Sequence, residues 1–352
     1  MHVGILTASR TNNNGTDLQT AAMYRLLEQT GHDVEVIDYA CKKLDGGRRL
    51  LPKKNLAGFL RLPWKIYDSF SREQFRQRAF VRSPETYYPE NLNLDRYDAV
   101  VVGSDQIWNL DITGGDLNFF LPESVGNIKR VAYAPSLGKM DIRHWEQQYA
   151  LKEKLDRFAG VSVRESSGVA ALSQIGVEAR HALDPLLCID RSDWENLAAK
   201  PKRREKYIVL YLVGGSPAAE RKARSYAKRT GCRILKFGPP QKPTKGIRTL
   251  SFVSLPKWIR LMADAQMVFT NSYHGLSVAV ALNTNVRVFP LKEEQANARA
   301  RSLLQMLQME EYFMESADCT ADDAYPDWAK VKKILAEKRK DSESYLIQML
   351  DE

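Results

Sequence analysis

Six consecutive residues, Thr270-Asn271-Ser272-Tyr273-His274-Gly275, bring together the side chains that proton transfer to an anion requires. An imidazole changes charge near neutral pH and can give or take a proton there. Asn and Ser at the start of a helix cap its free N–H groups, and those groups, with the helix dipole, favour an anion at that end. The flanks supply both elements. Met267-Val268-Phe269 is a short apolar run of the kind that forms a buried strand, and Leu276 to Leu282 is apolar enough for a buried helix. A polar turn between a strand's C-terminal end and a helix's N-terminus is where open α/β sheets bind ligands. The same residues also allow a plainer reading, in which Asn271 and Ser272 only cap the helix and His274 is held by its neighbours.

Two further strand ends carry chemistry. Ala99-Val100-Val101-Val102 leads into Gly103-Ser104-Asp105-Gln106-Ile107-Trp108-Asn109. A Trp can stack on a sugar face while Asp, Gln and Asn bind hydroxyls; the alternative is a loop packed around Trp108. Val161-Ser162-Val163 ends in Arg164-Glu165, where a guanidinium can hold a carboxylate or phosphate through two parallel hydrogen bonds, or else pair with Glu165 or another nearby acid.

The surrounding pattern alternates strand and helix. Val3 to Thr7 reads as a strand, Asp17 to Gln29 as a helix and Val34 to Ile37 as a second strand, a βαβ opening that implies a parallel sheet. Arg130 to Pro135 continues the sheet, Arg143 to Phe158 reads as one helix, and Ser166 or Ser167 as the cap of the helix through Leu172. After Asp184-Pro185 the alternation resumes, with strands at Tyr207 to Val213, Ile234 to Phe237, Met267 to Thr270 and Val286 to Phe289, and helices following Pro217, Leu255 and Asn297. The expected organisation is an N-terminal domain over 1–185 with a basic helical insertion near 42–90, a C-terminal domain over 186–325, and a helical segment over 326–352. The Gly-x-Gly-x-x-Gly fingerprint is missing from the first turn, so no dinucleotide cofactor is expected.

Bulk properties narrow the class. A chain of 352 residues with 44% hydrophobic and 27% charged residues suits two globular domains. Met1 runs directly into His2-Val3-Gly4-Ile5-Leu6, a core strand where a secretory leader would need a basic start and a longer apolar run, so a cytoplasmic protein is expected. Cys41, Cys188, Cys232 and Cys319 are far apart and show no metal-ligand spacing; they read as reduced thiols, and no metal is expected. The net charge of +9 equals that of Lys42 to Arg82 alone, with 12 Lys and Arg against Asp45, Asp68 and Glu73. With Phe59, Leu60, Trp64, Tyr67, Phe70, Phe75 and Phe80 in the same stretch, contact with an anionic membrane is expected, against the alternative of helices with a solvated basic face. No nucleic-acid motif accompanies the charge.

In their order these stretches resemble the polysaccharide pyruvyl transferase family. The likeness rests on Asn13-Asn14-Gly15 with Leu18-Gln19, Val102 to Asn109, Ser162-Val163-Arg164-Glu165, Leu183-Asp184-Pro185, Ser272-Tyr273-His274-Gly275, and Asn297-Ala298-Arg299 before Leu303-Leu304. It implies an α/β protein of two Rossmann-like domains with parallel sheets facing across a cleft, as in GT-B glycosyltransferases. It also implies a transferase that moves pyruvyl from phosphoenolpyruvate, a donor substrate rather than a cofactor, onto two hydroxyls of a cell-surface sugar or its lipid-linked precursor. The resemblance makes His274 the proton-transfer residue. Arg164, Ser272, Tyr273, Gly275 and Arg299 go to the donor, and Asn14, Gly15, Gln19, Ser104, Asp105, Gln106, Trp108 and Asn109 to the acceptor. Some relatives carry Arg two residues before the motif His; this chain has Ser272, which leaves that anion to Arg299 or the helix N-terminus. A glycosyltransferase using a nucleotide sugar and a non-catalytic sugar-binding protein are the competing readings.

Overall fold

The computed structural model describes residues 1–45, 61–201, 205–315 and 324–352. Residues 46–60, which include Phe59 and Leu60 of the basic stretch, lie outside these, as does Cys319. The described residues pack as two units. One takes in 1–45, 77–189 and 335–352, and the other 61–76 and 190–334.

In the first unit, short apolar runs form central strands that are largely buried on both faces, as a parallel sheet covered by helices demands, while the edge strands are partly or wholly exposed. The strands are β1 (His2–Leu6), β2 (Asp33–Tyr39), β3 (Arg82–Tyr87), β4 (Ala99–Val102), β5 (Lys129–Ala132), β6 (Gly160–Val163) and β7 (Arg180–His181). They lie in the order β3-β2-β1-β4-β5-β6-β7, all parallel. β1 pairs with β2 through Val3↔Val34 and with β4 through Val3↔Ala99, so the order reverses between β1 and β4. That reversal opens a crevice beyond the strands' C-terminal ends. The helix Asn14–Glu28 starts beside it, capped by the Asn13 side chain, which accepts from the Gly15 N–H at 2.8 Å.

The expected helix from Arg143 to Phe158 is two, Ile142–Tyr149 and Leu151–Leu155, divided at Ala150 with φ +47°. The helix after β6 is Ser166–Ser173, and its cap position belongs to Glu165 rather than to either Ser. The end of the long helix Trp328–Asp351 closes the first unit. Arg339 donates to the carbonyls of Leu187 and Ile189, Tyr345 to that of Ala132, and Lys129 to that of Leu350.

The second unit has β8 (Tyr207–Tyr211), β9 (Arg233–Phe237), β10 (Ile247–Leu250), β11 (Val268–Thr270) and β12 (Val286–Val288), parallel and in the order β10-β9-β8-β11-β12. Its reversal point lies between β8 and β11. The strand Val268-Phe269-Thr270 is wholly buried and feeds the helix Tyr273–Ala281, which is buried on nearly every side.

The helix Leu62–Ala79 departs from the alternative of a solvated basic face. Arg72 and Arg76 are buried, with Arg72 bound to Asp68 at 2.8 Å, while Ile66 and Phe70 are 54% and 62% exposed.

Candidate active site

The second unit assembles its site at the reversal point of its sheet. Thr270, the last residue of β11, donates its hydroxyl to the Tyr211 carbonyl at the end of β8 (2.7 Å) and accepts from the Ser272 N–H (3.0 Å). Asn271 acts as a backbone mimic. Its side-chain oxygen accepts from the Val213 N–H at 2.8 Å and its amide donates to the Val213 carbonyl at 3.1 Å. The two strand ends are thereby tied together, and the chain turns into the helix with Ser272 as cap, its hydroxyl accepting from the Gly275 N–H at 3.3 Å. Gly275 is required by this close approach: a Cβ there would lie 2.5 Å from Thr270 Oγ1 and 2.7 Å from Tyr211 Cδ1. Its role is packing, and its N–H is taken by Ser272, so the expected contact of Gly275 with the donor gives way to a positioning one.

His274 stands in the first turn of this helix, half-buried, 5.8 Å from the Tyr273 ring centre to centre. Arg299, one residue into the helix Ala298–Met306, places its guanidinium 5.4 Å from the same Tyr273 ring. Asn297 makes this possible. Its side chain accepts from the Leu291 N–H and donates to the Leu291 carbonyl, closing the loop that delivers Arg299. Ser272, Tyr273, His274 and Arg299 thus form one cluster of a proton-transfer group, a phenol and a cation at a helix N-terminus. A cation over an aromatic face is held in a defined position, and the helix end adds its own positive potential toward an anion.

The first unit's polar cluster lies at the β1/β4 reversal point. Gly103 has φ +146°, and a Cβ there would overlap the Tyr133 carbonyl oxygen at 1.9 Å, so only Gly lets the chain turn. Asp105, a non-glycine residue at φ +74°, accepts from the Thr16 hydroxyl at 2.7 Å and from the Gln106 N–H at 2.8 Å. Asn14 and Gln106 are half-buried beside it.

Several expected ligand contacts are corrected here. Trp108 is completely buried, its ring stacked on Phe120 at 5.2 Å and edge-on to Phe158, and its N–H donates to the Phe119 carbonyl at 2.8 Å. It belongs to the core and cannot stack on a sugar. Gln19 is buried, with its amide donating to Ser104 Oγ (2.9 Å) and Asp184 Oδ2 (2.7 Å), while Ser104 donates to the Ala134 carbonyl. Gly15 and Asn109 are buried as well, Asn109 donating to Gln106 at 3.5 Å. Arg164 has a side chain 1% exposed. It binds Asp184 at 3.0 Å, with Asp105 at 3.8 Å and Glu165 at 3.9 Å, so its cation is held by protein carboxylates rather than offered to a donor.

Asp184 and Glu165 are the organising residues, which the sequence offered only as motif members and, for Glu165, as an alternative partner of Arg164. Asp184 accepts from Gln19, from Arg164 and from the Leu186 N–H, and Glu165 accepts from the Ser136 hydroxyl and the N–H groups of Leu137 and Gly138. An Asp directly before Pro185 at a helix start was the available signal.

Trp108→Phe keeps a ring in the core but removes the donor to Phe119. The expected result is a loss of about 1–3 kcal/mol in urea unfolding, from one unsatisfied buried carbonyl. The acceptor KM of the folded variant is expected to stay at its normal value.

Among the described residues no group of three or more His, Cys, Asp or Glu could hold a metal, and no helix is long and apolar enough to cross a membrane. Residues 13–293 match the family described as polysaccharide pyruvyl transferase. The chain belongs to the polysaccharide pyruvyl transferase family. It is thus a member of a transferase family acting on a sugar polymer, and the matched span contains Ser272, Tyr273 and His274 of the second unit, but not Arg299, as well as the first unit's polar cluster. No curated protein matches the chain significantly.

Among solved structures, the chain is similar to the UDP-GlcNAc 2-epimerase of Methanocaldococcus jannaschii (12% identity, 96% of this chain and 92% of that one, TM-score 0.50). It is similar also to a putative UDP-N-acetylglucosamine 2-epimerase of Listeria monocytogenes (12%, 97% and 96%, 0.48). A third is T4 phage BGT in complex with UDP and Mn2+ (10%, 100% and 100%, 0.44). At 12% identity the likeness to the Methanocaldococcus jannaschii enzyme shows the fold alone and, with the two parallel sheets, gives two Rossmann-like domains of the GT-B class.

Proposed function

We propose that this pyruvyl transferase takes its pyruvyl group from phosphoenolpyruvate and forms a ketal on two hydroxyls of a sugar in a cell-surface glycan or its lipid-linked precursor, working in the cytoplasm at the inner face of the membrane. The observation that carries the reading is the cluster of His274, Tyr273 and Arg299 at the N-terminus of the helix Tyr273–Ala281. Phosphoenolpyruvate brings a carboxylate and a phosphate, which a guanidinium and a helix N-terminus suit. Its methylene carbon must receive a proton, leaving an oxocarbenium-like centre at the carbon that bears the carboxylate. His274 delivers that proton. One sugar hydroxyl then adds, phosphate departs, and the second hydroxyl closes the ketal. Of the two hydroxyl protons released, one restores His274 and the other leaves on phosphate. Asp105, Gln106 and Asn14 are the proposed acceptor contacts in the first unit.

The test is incubation with phosphoenolpyruvate and a panel of sugar acceptors, following phosphate release and product mass. A gain equal to pyruvate less water on the sugar supports the reading. Thermal stabilisation by a nucleotide sugar and none by phosphoenolpyruvate would overturn it. Arg299 supplies a second check: Arg299→Ala is expected to weaken phosphoenolpyruvate binding by about 10- to 150-fold in calorimetry, the value of a charge-assisted hydrogen bond of roughly 1.5–3 kcal/mol. Arg299→Lys should restore only part, because an ammonium lacks the planar fork.

A further inference from the structure

The neutral sum outside Lys42–Arg82 conceals a second basic stretch. From Arg221 to Ala263 there are 12 Lys and Arg and no Asp or Glu. The fold gathers part of it along one edge of the second unit. β10 is the edge strand of that sheet, and Lys242, Lys245 and Arg248, in and just before it, are all exposed. Arg224 of the helix Pro217–Thr230 donates to the Lys245 carbonyl at 2.6 Å, which joins that helix to the same edge. Between them lies an open concavity of about 600 Å³, with Arg224, Lys228, Arg233 and Arg248 among its lining residues.

Apolar side chains stand at the other end of this strand. Phe252, two residues beyond β10, is 49% exposed, and its ring meets Tyr67 of the helix Leu62–Ala79 edge-on at 5.3 Å. That contact brings the helix's outward stripe to the same edge. Pro63, Ile66 and Phe70 repeat at i, i+3 and i+7 and are all exposed. Ile66 and Phe70, on a helix that buries its own Arg72 and Arg76, and Phe252 beyond the strand face water beside a row of cations, an arrangement with a physical use at a lipid headgroup layer. There the cations meet anionic phosphates and the apolar side chains reach the acyl boundary.

We propose that this edge, with Lys242, Lys245 and Arg248 as its charged row and Ile66, Phe70 and Phe252 as its apolar wedge, docks the protein on an anionic lipid surface. It deepens the peripheral-membrane part of the proposed function by naming the surface, and it does not depend on the transfer reaction. Nucleic acid would satisfy the cations but leave the wedge uncovered.

The experiment is co-sedimentation of the full chain, without substrates, with vesicles of phosphatidylglycerol and phosphatidylcholine, or of phosphatidylcholine alone. Binding is expected on the anionic vesicles and should fade as salt shortens the screening length from about 10 Å at 0.1 M to about 3 Å at 1 M. Changing Lys242, Lys245 and Arg248 together to Gln is expected to lower the partition coefficient on the order of 100-fold, since each basic side chain near such a surface contributes roughly fivefold. Ile66→Ser with Phe70→Ser should lower it about 10-fold or more, with the charged row intact. Circular dichroism and melting temperature confirm that both variants are folded. Absence of wild-type binding at low salt, or unchanged binding in the triple variant, would overturn the proposal and leave the phosphate-release assay untouched. Binding that survives loss of Ile66 and Phe70 and is competed fully by double-stranded DNA would overturn the lipid assignment.

Discussion

Replacing Arg164 by Ala is expected to lower stability by about 3–5 kcal/mol, the range for removing one partner of a buried ion pair. The reason is what remains. Asp184, Glu165 and Asp105 converge on the guanidinium, and Arg164, Glu165 and Asp184 have side chains only 1% exposed. Without Arg164, carboxylates bound together at the β1/β4 crevice lose their counter-charge in a place water scarcely reaches. Gln19 would still donate to Asp184, but a neutral amide cannot balance a full negative charge. Urea unfolding at neutral pH measures the loss. Arg164→Ala combined with Asp184→Ala should be less destabilised than the sum of the single changes, because removing both charges removes the uncompensated one. A single variant that melts normally but binds phosphoenolpyruvate weakly would contradict the structural role and return Arg164 to the donor.

The second unit's site was legible because it is local. Residues 270–275 are contiguous, and an apolar run, a polar turn and an apolar helix fix their placement without any knowledge of the tertiary fold. Even Arg299 could be tied to the same site by resemblance, although the Asn297 latch that delivers it could not be read from sequence. The first unit's site was less legible for a chemical reason. Gln19 in the first turns of a helix, and Ser104 and Arg164 at strand ends, are the residue types that bind ligands and equally the types that bind one another. Only burial separates the two, and burial at these positions depends on elements far away in sequence: Gln19 meets Asp184 across 165 positions. Trp108 shows the same ambiguity, because its loop position suggested exposure whereas Phe119, Phe120 and Phe158 enclose it.

Core strands such as Ala99–Val102 were plain from their apolar runs, while the edge strands Arg82–Tyr87, Arg180–His181 and Ile247–Leu250 were not. These three edge strands carry exposed polar residues that break any buried pattern, and Pro84 inside the first of them argues against a strand by composition, whereas the edge strand Val286–Val288 is buried and was legible. For the helix Leu62–Ala79 the sequence left open which face meets solvent. Sequence periodicity shows that two faces exist, but Arg72 turned inward through its bond to Asp68, and Ile66 and Phe70 turned outward.

His274→Ala is expected to reduce kcat by at least about 100-fold, the low end for a positioned general acid–base group. Phosphoenolpyruvate binding should remain close to normal. The separation follows from the site's construction. Arg299 over the Tyr273 ring and the capped start of the helix Tyr273–Ala281 are the anion-attracting elements; the cap bond is made by Ser272 and the cation is placed by the Tyr273 ring, which the imidazole meets at 5.8 Å. Loss of the imidazole therefore removes a proton in the transition state while leaving ground-state attraction in place, and such a change lowers kcat and kcat/KM together. Arg299→Ala should show the opposite pattern, a raised donor KM with a smaller effect on kcat. Steady-state phosphate release over a range of donor concentrations gives both parameters, and calorimetry with phosphoenolpyruvate gives binding separately. His274→Gln keeps a hydrogen-bonding side chain but cannot donate an acidic proton, so it should be as inactive as the Ala variant. Near-normal turnover in either variant would remove His274 from the chemistry. Loss of binding and turnover in equal measure, with an unchanged melting temperature, would make it a donor contact instead of the proton-transfer residue.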